Sequence, residues 1–591
     1  MQDVFVSRCR QRPCFRWVGV ILGVVLFSAG CSPSATTKKS EKTSTEASTK
    51  AEDSRVQRNL QNAFETLRPE KLGVASGSEQ AIAVLNEWAK GAKAEAEKRN
   101  EPWEPRRPHS LLKSLPKEWL EQFSLEHFVE RDAAYLRDCV WANRATKFGA
   151  GDAEKDLDVV VTLFEFVVRN LMLIPPESRQ APLCPFDAMM LGRGTAADRA
   201  WAFAELLRQR NIDSVILSPR RVTGDAGDDA SFLVGVLFDK DILLFDPTLG
   251  LPVPGDVAEP KSALLRFPAS LRQVQRDPGL LTQLARDSGG RFTLTAKMLE
   301  APLVELICHS EQLAVRMKRL QGELSGEQSV IVSDPLEDAD DQQGLWSRVA
   351  KHPAAAWSPE DVAIWSYPEL VRDSATRITS DQQKELTRLS LSLGAPIRVQ
   401  RFLEKANEES YDLEFGKPER MLMKRRMEHV VGRWADAVPG YLASQLFDVD
   451  PPTAKGLEIV SSDGKDRRPA GIKTVAESQT LRFLMMQPKY APIRKVHLLA
   501  GDDACFWQAL CQFEQNRWEA TVDQCKVYNK QHSDGGWFAA NQTLMAVAYV
   551  KQKMLKEAVR ALKEIDADDP LSAEAKVLTA RWQRLLTTPT E

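Results

Sequence analysis

The sequence predicts a multi-domain, mainly α-helical protein with one α+β unit and a C-terminal α-helical repeat. Three observations carry that expectation. The chain runs to 591 residues, too many for one core at about 100–200 residues per domain. Apolar residues recur every three or four positions through most of it, whereas between 192 and 250 the period shortens to that of strands. Near the C-terminus, small and aromatic residues return at a fixed interval. With 43% apolar and 27% charged residues, the chain can bury substantial cores. Its 79 basic against 82 acidic residues leave a net charge of −3. That balance excludes a chain-wide nucleic-acid footprint and argues against a strongly charged substrate. Nine Cys in this length do not make a disulfide scaffold, and 33 Pro with 31 Gly exclude a collagen-like chain.

Residues 1–31 read as a lipoprotein-type signal peptide. Arg8, Arg10, Arg12 and Arg16 form a basic opening, an uncharged run follows from Trp17 to Ala29, and small residues precede Cys31. The uncharged run is 13 residues long, short of the about 20 that a spanning helix needs. Ser28-Ala29-Gly30-Cys31 resembles the bacterial lipobox, whose Cys is lipidated and becomes the first residue. Ser28 stands where that motif usually has Leu. Ordinary cleavage after Gly30 and an uncleaved anchor are the alternatives. The resemblance implies a protein of a bacterial cell envelope, lipid-anchored to the membrane through Cys31 on the periplasmic side. Ser32 weakly favours the outer membrane over the inner.

Residues 32–52 form a tether. Ten of the nineteen residues 32–50 are Ser or Thr and none is large and apolar, so nothing there offsets chain entropy. Beyond it lie six Cys: Cys139, Cys184, Cys308, Cys505, Cys511 and Cys525. Their spacing matches no metal pattern, and they read as buried small hydrophobes.

Residues 53–155 make a helical N-terminal region. Asp53 or Ser54 can cap a helix bearing Val56, Leu60, Phe64 and Leu67, and a second helix carries Ala81, Ile82, Leu85 and Trp88. A Pro-rich connection interrupts the pattern. From 156 to 174 the density of Val, Leu and Phe predicts a buried helix, which Pro175-Pro176 ends. A further helix opens at Thr195 and runs to about Gln209, with Thr195 and Asp198 spaced as a capping box. Ser214 to Leu217, Phe232 to Phe238 and Ile242 to Phe245 then read as short strands, which closes an α+β unit over 156–255. Residues 256–455 form a mainly helical middle region, with amphipathic stretches near 304–323, 381–393 and 418–434. Its acidic stretch Asp334 to Asp341 lacks the alternation of a calcium loop and reads as solvated. A polar stretch over 456–475, with Gly456, Gly464 and Gly471, reads as a linker.

Residues 476–591 carry the repeat. Ala546, Tyr549, Ala558, Leu562, Ile565 and Pro570 follow at steps of 3, 9, 4, 3 and 5, the spacing of the tetratricopeptide repeat (TPR). A degenerate copy lies 37 residues earlier, with Trp518, Thr521, Val522 and Cys525 matching Leu555, Ala558, Val559 and Leu562. Such helices pack through those small positions and imply a protein partner. Trp507, Trp518, Trp537 and Trp582 are expected in the core; otherwise they would line a peptide or glycan groove.

The segment GTAADRAWAFAELLRQRNIDSV, from Gly194 to Val215, resembles the core helix and following strand of transglutaminase-like proteins. Phe245-Asp246-Pro247-Thr248 is similar to that family's terminal Asp-Pro-Thr. The likeness covers about 156–255, under a fifth of the chain. It implies the papain-like cysteine-proteinase fold, a nucleophilic Cys at the helix start, and a His oriented by the Asp. In this chain the Cys position is Ala196, and the His position falls on Ala230, Ser231 or Phe232. No His occurs between His127 and His309. An orienting carboxylate without its imidazole catalyses nothing by that route.

The remaining candidates are weaker. Cys184 could enter the same cleft, with His127 or His309 folding over it. Gly192, Arg193, Gly194 and Thr195 could hold an anion at the helix start. Asp228, Asp229 and Asp246 could gather. Nothing calls for a metal or a cofactor. The expectation is a non-catalytic envelope lipoprotein. Its transglutaminase-like unit binds a ligand (peptide or glycan) or packs structurally, and its helical repeat binds a protein. The alternatives are a divergent cysteine hydrolase or acyl transferase using Cys184, and a purely structural envelope spacer.

Overall fold

Thr195 and Asp198 do form the expected capping box. The Asp198 amide donates to Thr195 Oγ1 and the Thr195 amide donates to Asp198 Oδ2 at 2.8 Å, so two otherwise orphaned N–H groups are satisfied reciprocally. The helix behind this cap spans Ala196–Arg208, and Ala200, Trp201, Phe203, Leu206 and Leu207 are all buried. Its charged residues Asp198, Arg199, Glu205 and Arg208 are buried as well, so it is a core helix. Before it, the Val- and Phe-rich run forms the helix Asp156–Asn170. This is shorter than expected, because Met172–Leu173 (β1) leaves the helix to pair in parallel with Arg193–Gly194 (β2).

The computed structural model describes residues 58–68, 77–98 and 109–587, apart from 152, 154, 179–180, 221–230, 239, 258–259, 325–328, 338–343, 394–396, 406–407, 416–420, 450–457, 462–466 and 470–485. The signal peptide with Cys31, the tether, the proposed cap at Asp53 or Ser54, and Ala230, Asp228 and Asp229 lie outside the described residues. The described chain is mainly helical with small sheets. Among the described residues, no helix is long and apolar enough to cross a membrane.

The three strands expected after the helix are Ser214–Ser218 (β3), Leu233–Leu237 (β4) and Ile242–Asp246 (β5), each antiparallel to the next. Their sheet is larger than the sequence suggested. Leu251–Pro252 (β6) borders β5; on the other side Leu303–Leu306 (β7) pairs antiparallel with β3, and Val362–Ile364 (β8) pairs in parallel with β7. The six-stranded order is β6-β5-β4-β3-β7-β8. The α+β unit therefore extends past residue 255 into the middle region. The stretch 304–323, expected to be helical, opens as β7 and continues as the helices Ser310–Leu313 and Val315–Glu323. A short apolar run does not distinguish strand from helix by period alone; the free edge of β3 decided it.

The segment read as a linker also pairs. Ile397–Lys405 (β9), Glu408–Phe415 (β10), Glu458–Ser461 (β11) and Arg467–Pro469 (β12) form a second sheet in the order β10-β9-β11-β12. Helices Ser380–Ser392 and Met421–Val430 match the other two expected stretches. Asp334 is held by Arg348 at 2.9 Å rather than left to solvent.

The C-terminal helices are Ala491–Glu514, Trp518–Gln531, Phe538–Lys551, Leu555–Leu562 and Ser572–Thr587. Two of their turns are copies of each other. Asn516 and Lys553, 37 positions apart, both take the left-handed conformation, at φ 59 and 63. Each turn closes with the paired bonds of a Schellman cap: Asn516 N to Phe513 O and Arg517 N to Gln512 O in the first, Lys553 N to Val550 O and Met554 N to Tyr549 O in the second. Thr521, Cys525, Ala546, Ala558 and Leu562 are buried between the helices, while Trp518, Tyr549 and Pro570 are half-buried.

Residues Gln57–Glu591 make one compact unit, so stretches separable along the sequence share a core. Buried and half-buried arginines tie them together. Arg581 grips Asp256 with two bonds of 2.9 Å, Arg169 reaches Glu514 at 3.1 Å, and Arg193 reaches Asp503 at 3.2 Å.

Candidate functional site

Ala196 is the first residue of its helix, directly after the Thr195 cap. No reactive atom occupies that position, and the space around the cap is taken. Tyr367 donates its hydroxyl to Asp198 Oδ1 at 2.8 Å and lies 3.3 Å from Thr195 Oγ1. Asp246, at the end of β5, accepts the amides of Thr248 and Leu249 at 2.8 and 2.9 Å. It closes a turn in the manner of an Asx motif and orients no imidazole. Burial pushes its carboxyl up to about 6. Ser231 bonds Thr293 and Phe232 packs near Trp365.

Cys184 is buried, and burial pushes its thiol up to about 12 even though Arg372 pulls the other way. A thiol of that kind carries almost no thiolate at neutrality. His127 is exposed, and His309 is buried with its Nδ1 2.8 Å from Glu311. The Gly192–Thr195 cradle is filled from within the protein. Arg193 is committed to Asp503, Asp198 takes the Thr195 amide, and Gly192 faces the rings of Trp507 and Trp537. Trp507, Trp537 and Trp582 are fully buried and Trp518 half-buried, so these are core side chains rather than an exposed groove.

A mostly apolar cavity lies elsewhere on the same helix. A cleft of about 90 Å³ opens between the sheet side of the α+β unit and the C-terminal helices. Its wall is largely apolar: Val168, Leu171, Leu264, Phe506, Leu544 and Leu578 among others. Four ionisable side chains interrupt it: Glu165 and Arg169 from the helix Asp156–Asn170, paired with each other at 3.1 Å, Arg199 from the helix Ala196–Arg208, and Glu574 from the helix Ser572–Thr587. Arg199 is 1% exposed and props up two carbonyls: Nε and Nη2 donate to Leu171 O, and Nη1 donates to Pro247 O at 3.1 Å. Burial lowers its guanidinium to about 10, against the pull of Glu574 and Asp246. Burial raises Glu574 to about 8, with Arg199 and Arg169 acting in the opposite direction. At neutral pH, Glu574 is therefore mostly a proton donor.

Sequence reasoning missed Arg199 and Glu574. Arg199 left a trace, being a cation directly before the run Ala200–Leu207, in which only Glu205 is charged. Glu574, in Ser-Ala-Glu-Ala at a helix start, looks like an ordinary exposed N-terminal acid; only its packing against the sheet unit buries it. Among the described residues, no group of three or more His, Cys, Asp or Glu could hold a metal ion. No family model, curated protein or solved structure matches the chain.

Proposed function

We propose that this protein is a non-catalytic, lipid-anchored component of a bacterial envelope. Its α+β unit is a degenerate transglutaminase-like module used to bind a ligand, and its C-terminal TPR-like helices hold a protein partner. One observation carries the reading: Ala196 occupies the helix start where the resembling family places its nucleophile, and it lies behind an intact cap. The helix followed by antiparallel strands, with Asp246 closing β5, supports the kinship of the module. The 37-residue recurrence of turn and small positions supports the kinship of the C-terminal helices.

The test is residue-resolved alkylation of the purified, unlipidated chain at pH 6, read by mass spectrometry. All six thiols are expected to label slowly. With a pKa of about 12, Cys184 is ionised to only about one part in a million at that pH. That is more than about a thousandfold below an exposed thiol of pKa about 8.5. Rapid, selective labelling of Cys184 would overturn the non-catalytic reading.

The anchor is tested separately. Cys31→Ala is expected to move the protein from the membrane to the soluble fraction, since acyl chains supply the membrane affinity. A variant that stays membrane-bound at the wild-type level would rule out lipidation at Cys31 as the anchor.

A further inference from the structure

Three buried polar groups face the apolar cleft with hydrogen-bonding capacity that the protein leaves unused. Glu574 is 6% exposed and makes neither a hydrogen bond nor an ion pair among the described residues. Thr543 Oγ1 is buried without a partner. Arg199 makes three hydrogen bonds, all to backbone carbonyls, and has no ion-pair partner among the described residues. Of the about five N–H groups of a guanidinium, two therefore remain. Native interiors rarely leave such groups unsatisfied, and three around one cavity mark a place where something else completes the bonding.

The geometry brings two of them to one point. Gly250 adopts φ +68 and lacks a side chain where it faces the cleft. A Cβ there would lie 3.3 Å from Arg199 Nη1 and 3.5 Å from Glu574 Oε2. The guanidinium and the carboxyl thus flank the same small space, against Gly250 and the apolar wall.

We propose that this cleft binds a small monocarboxylate with an apolar body. Its carboxylate is received by Arg199, Glu574 and Thr543, and its chain lies against Leu171, Leu544, Leu578 and Trp582. The inference rests on the reading of the α+β unit as a ligand-binding module and names the ligand class. Glu165 and Arg169, which also line the cleft, are bonded to each other, so the groups left open are donors: two guanidinium N–H groups, the proton of a neutral Glu574 and a hydroxyl. They call for an acceptor-rich, anionic head. An ammonium head would meet the charge of Arg199, and a purely apolar ligand would leave all three groups unpaired. The cavity is smaller than the about 150 Å³ that accommodates a benzene ring. It therefore takes a chain end of a few carbons, with the remainder in the mouth.

The experiment titrates the purified full chain with straight-chain alkanoates of about four to ten carbons, read by calorimetry at pH 7 and pH 9. Saturable binding is expected at pH 7 for an intermediate length. Because Glu574 loses its proton near pH 8, affinity should fall about tenfold by pH 9. Glu574→Gln keeps a donor and should flatten that pH dependence. Ala540→Phe, which fills the cleft, should abolish binding while keeping the wild-type unfolding midpoint. Octan-1-ol binding as tightly as octanoate would overturn recognition of the carboxylate. A flat wild-type pH profile would overturn the role of Glu574, and no saturable binding by any length would overturn the site. None of these failures touches the non-catalytic reading, which stands or falls on thiol labelling.

Discussion

Asp132→Ala is expected to cost about 3–5 kcal/mol, the range found when one partner of a buried ion pair is removed. Asp132 and Arg316 are both fully buried, and their pairing is bidentate: Arg316 Nε to Oδ2 at 3.0 Å and Nη2 to Oδ1 at 2.7 Å. The third guanidinium nitrogen of Arg316, Nη1, donates to the carbonyls of Gln122 and Leu125. The same carboxylate accepts the Val129 amide at 2.8 Å, at the start of the helix Glu130–Gly149. Burial pushes the Asp132 carboxyl up, and Arg316 draws it back. Removing Asp132 therefore deletes a helix cap and strands a guanidinium that has no route to water. The check is the shift in urea midpoint, combined with a double variant. Asp132→Leu with Arg316→Met should recover much of the loss, because an apolar pair of similar volume carries no desolvation cost. A single variant within about 1 kcal/mol of wild type would show that water reaches Arg316.

Gly192→Ala should cost about 2–5 kcal/mol, for two independent reasons. Gly192 has φ 68 and ψ 22, a left-handed conformation that costs an L-residue about 1–2 kcal/mol. In addition, the new Cβ would lie 2.9 Å from Trp537 Cζ2 and 3.1 Å from Trp507 Cζ2. Neither ring can retreat. Trp537 stacks on Phe506 at 4.2 Å and donates its Nε1 to Asp503 at 2.8 Å, and both indoles are fully buried. Overpacking of that kind adds about 1–3 kcal/mol. Gly91 is the control: it lies in the exposed part of the helix Gly77–Lys98 with nothing within 4 Å of a Cβ. Gly91→Ala should stabilise by about 0.5–1 kcal/mol. Equal thermal midpoints for the two variants would mean that the Trp507–Trp537 contact with Gly192 is not formed in solution.

Gly192 also shows how far the sequence could be read. The Gly192-Arg193-Gly194 turn before a helix was visible as a turn, and its left-handed first residue follows from glycine chemistry. Its purpose was not visible. As an anion cradle it is already full, because Asp503 and the two indoles arrive from residues more than three hundred positions away.

Some features were legible because they are decided within one or two turns of chain. The Thr195–Asp198 cap, the core helix behind it, the three antiparallel strands and the 37-residue recurrence of the C-terminal turns all depend on neighbours in sequence. So does the absence of a reactive side chain at Ala196, which needs only the identity of one residue at a helix start. What the tertiary structure alone decided is which remote segment covers which face. Leu303–Leu306 became a strand because β3 had an open edge. Glu574 became a proton donor because its helix packs against the sheet unit and buries the carboxyl, which outweighs the opposing pull of Arg199. Strand partners and desolvation are properties of contacts between distant residues, and a periodic pattern records only that a face is apolar, not what will cover it.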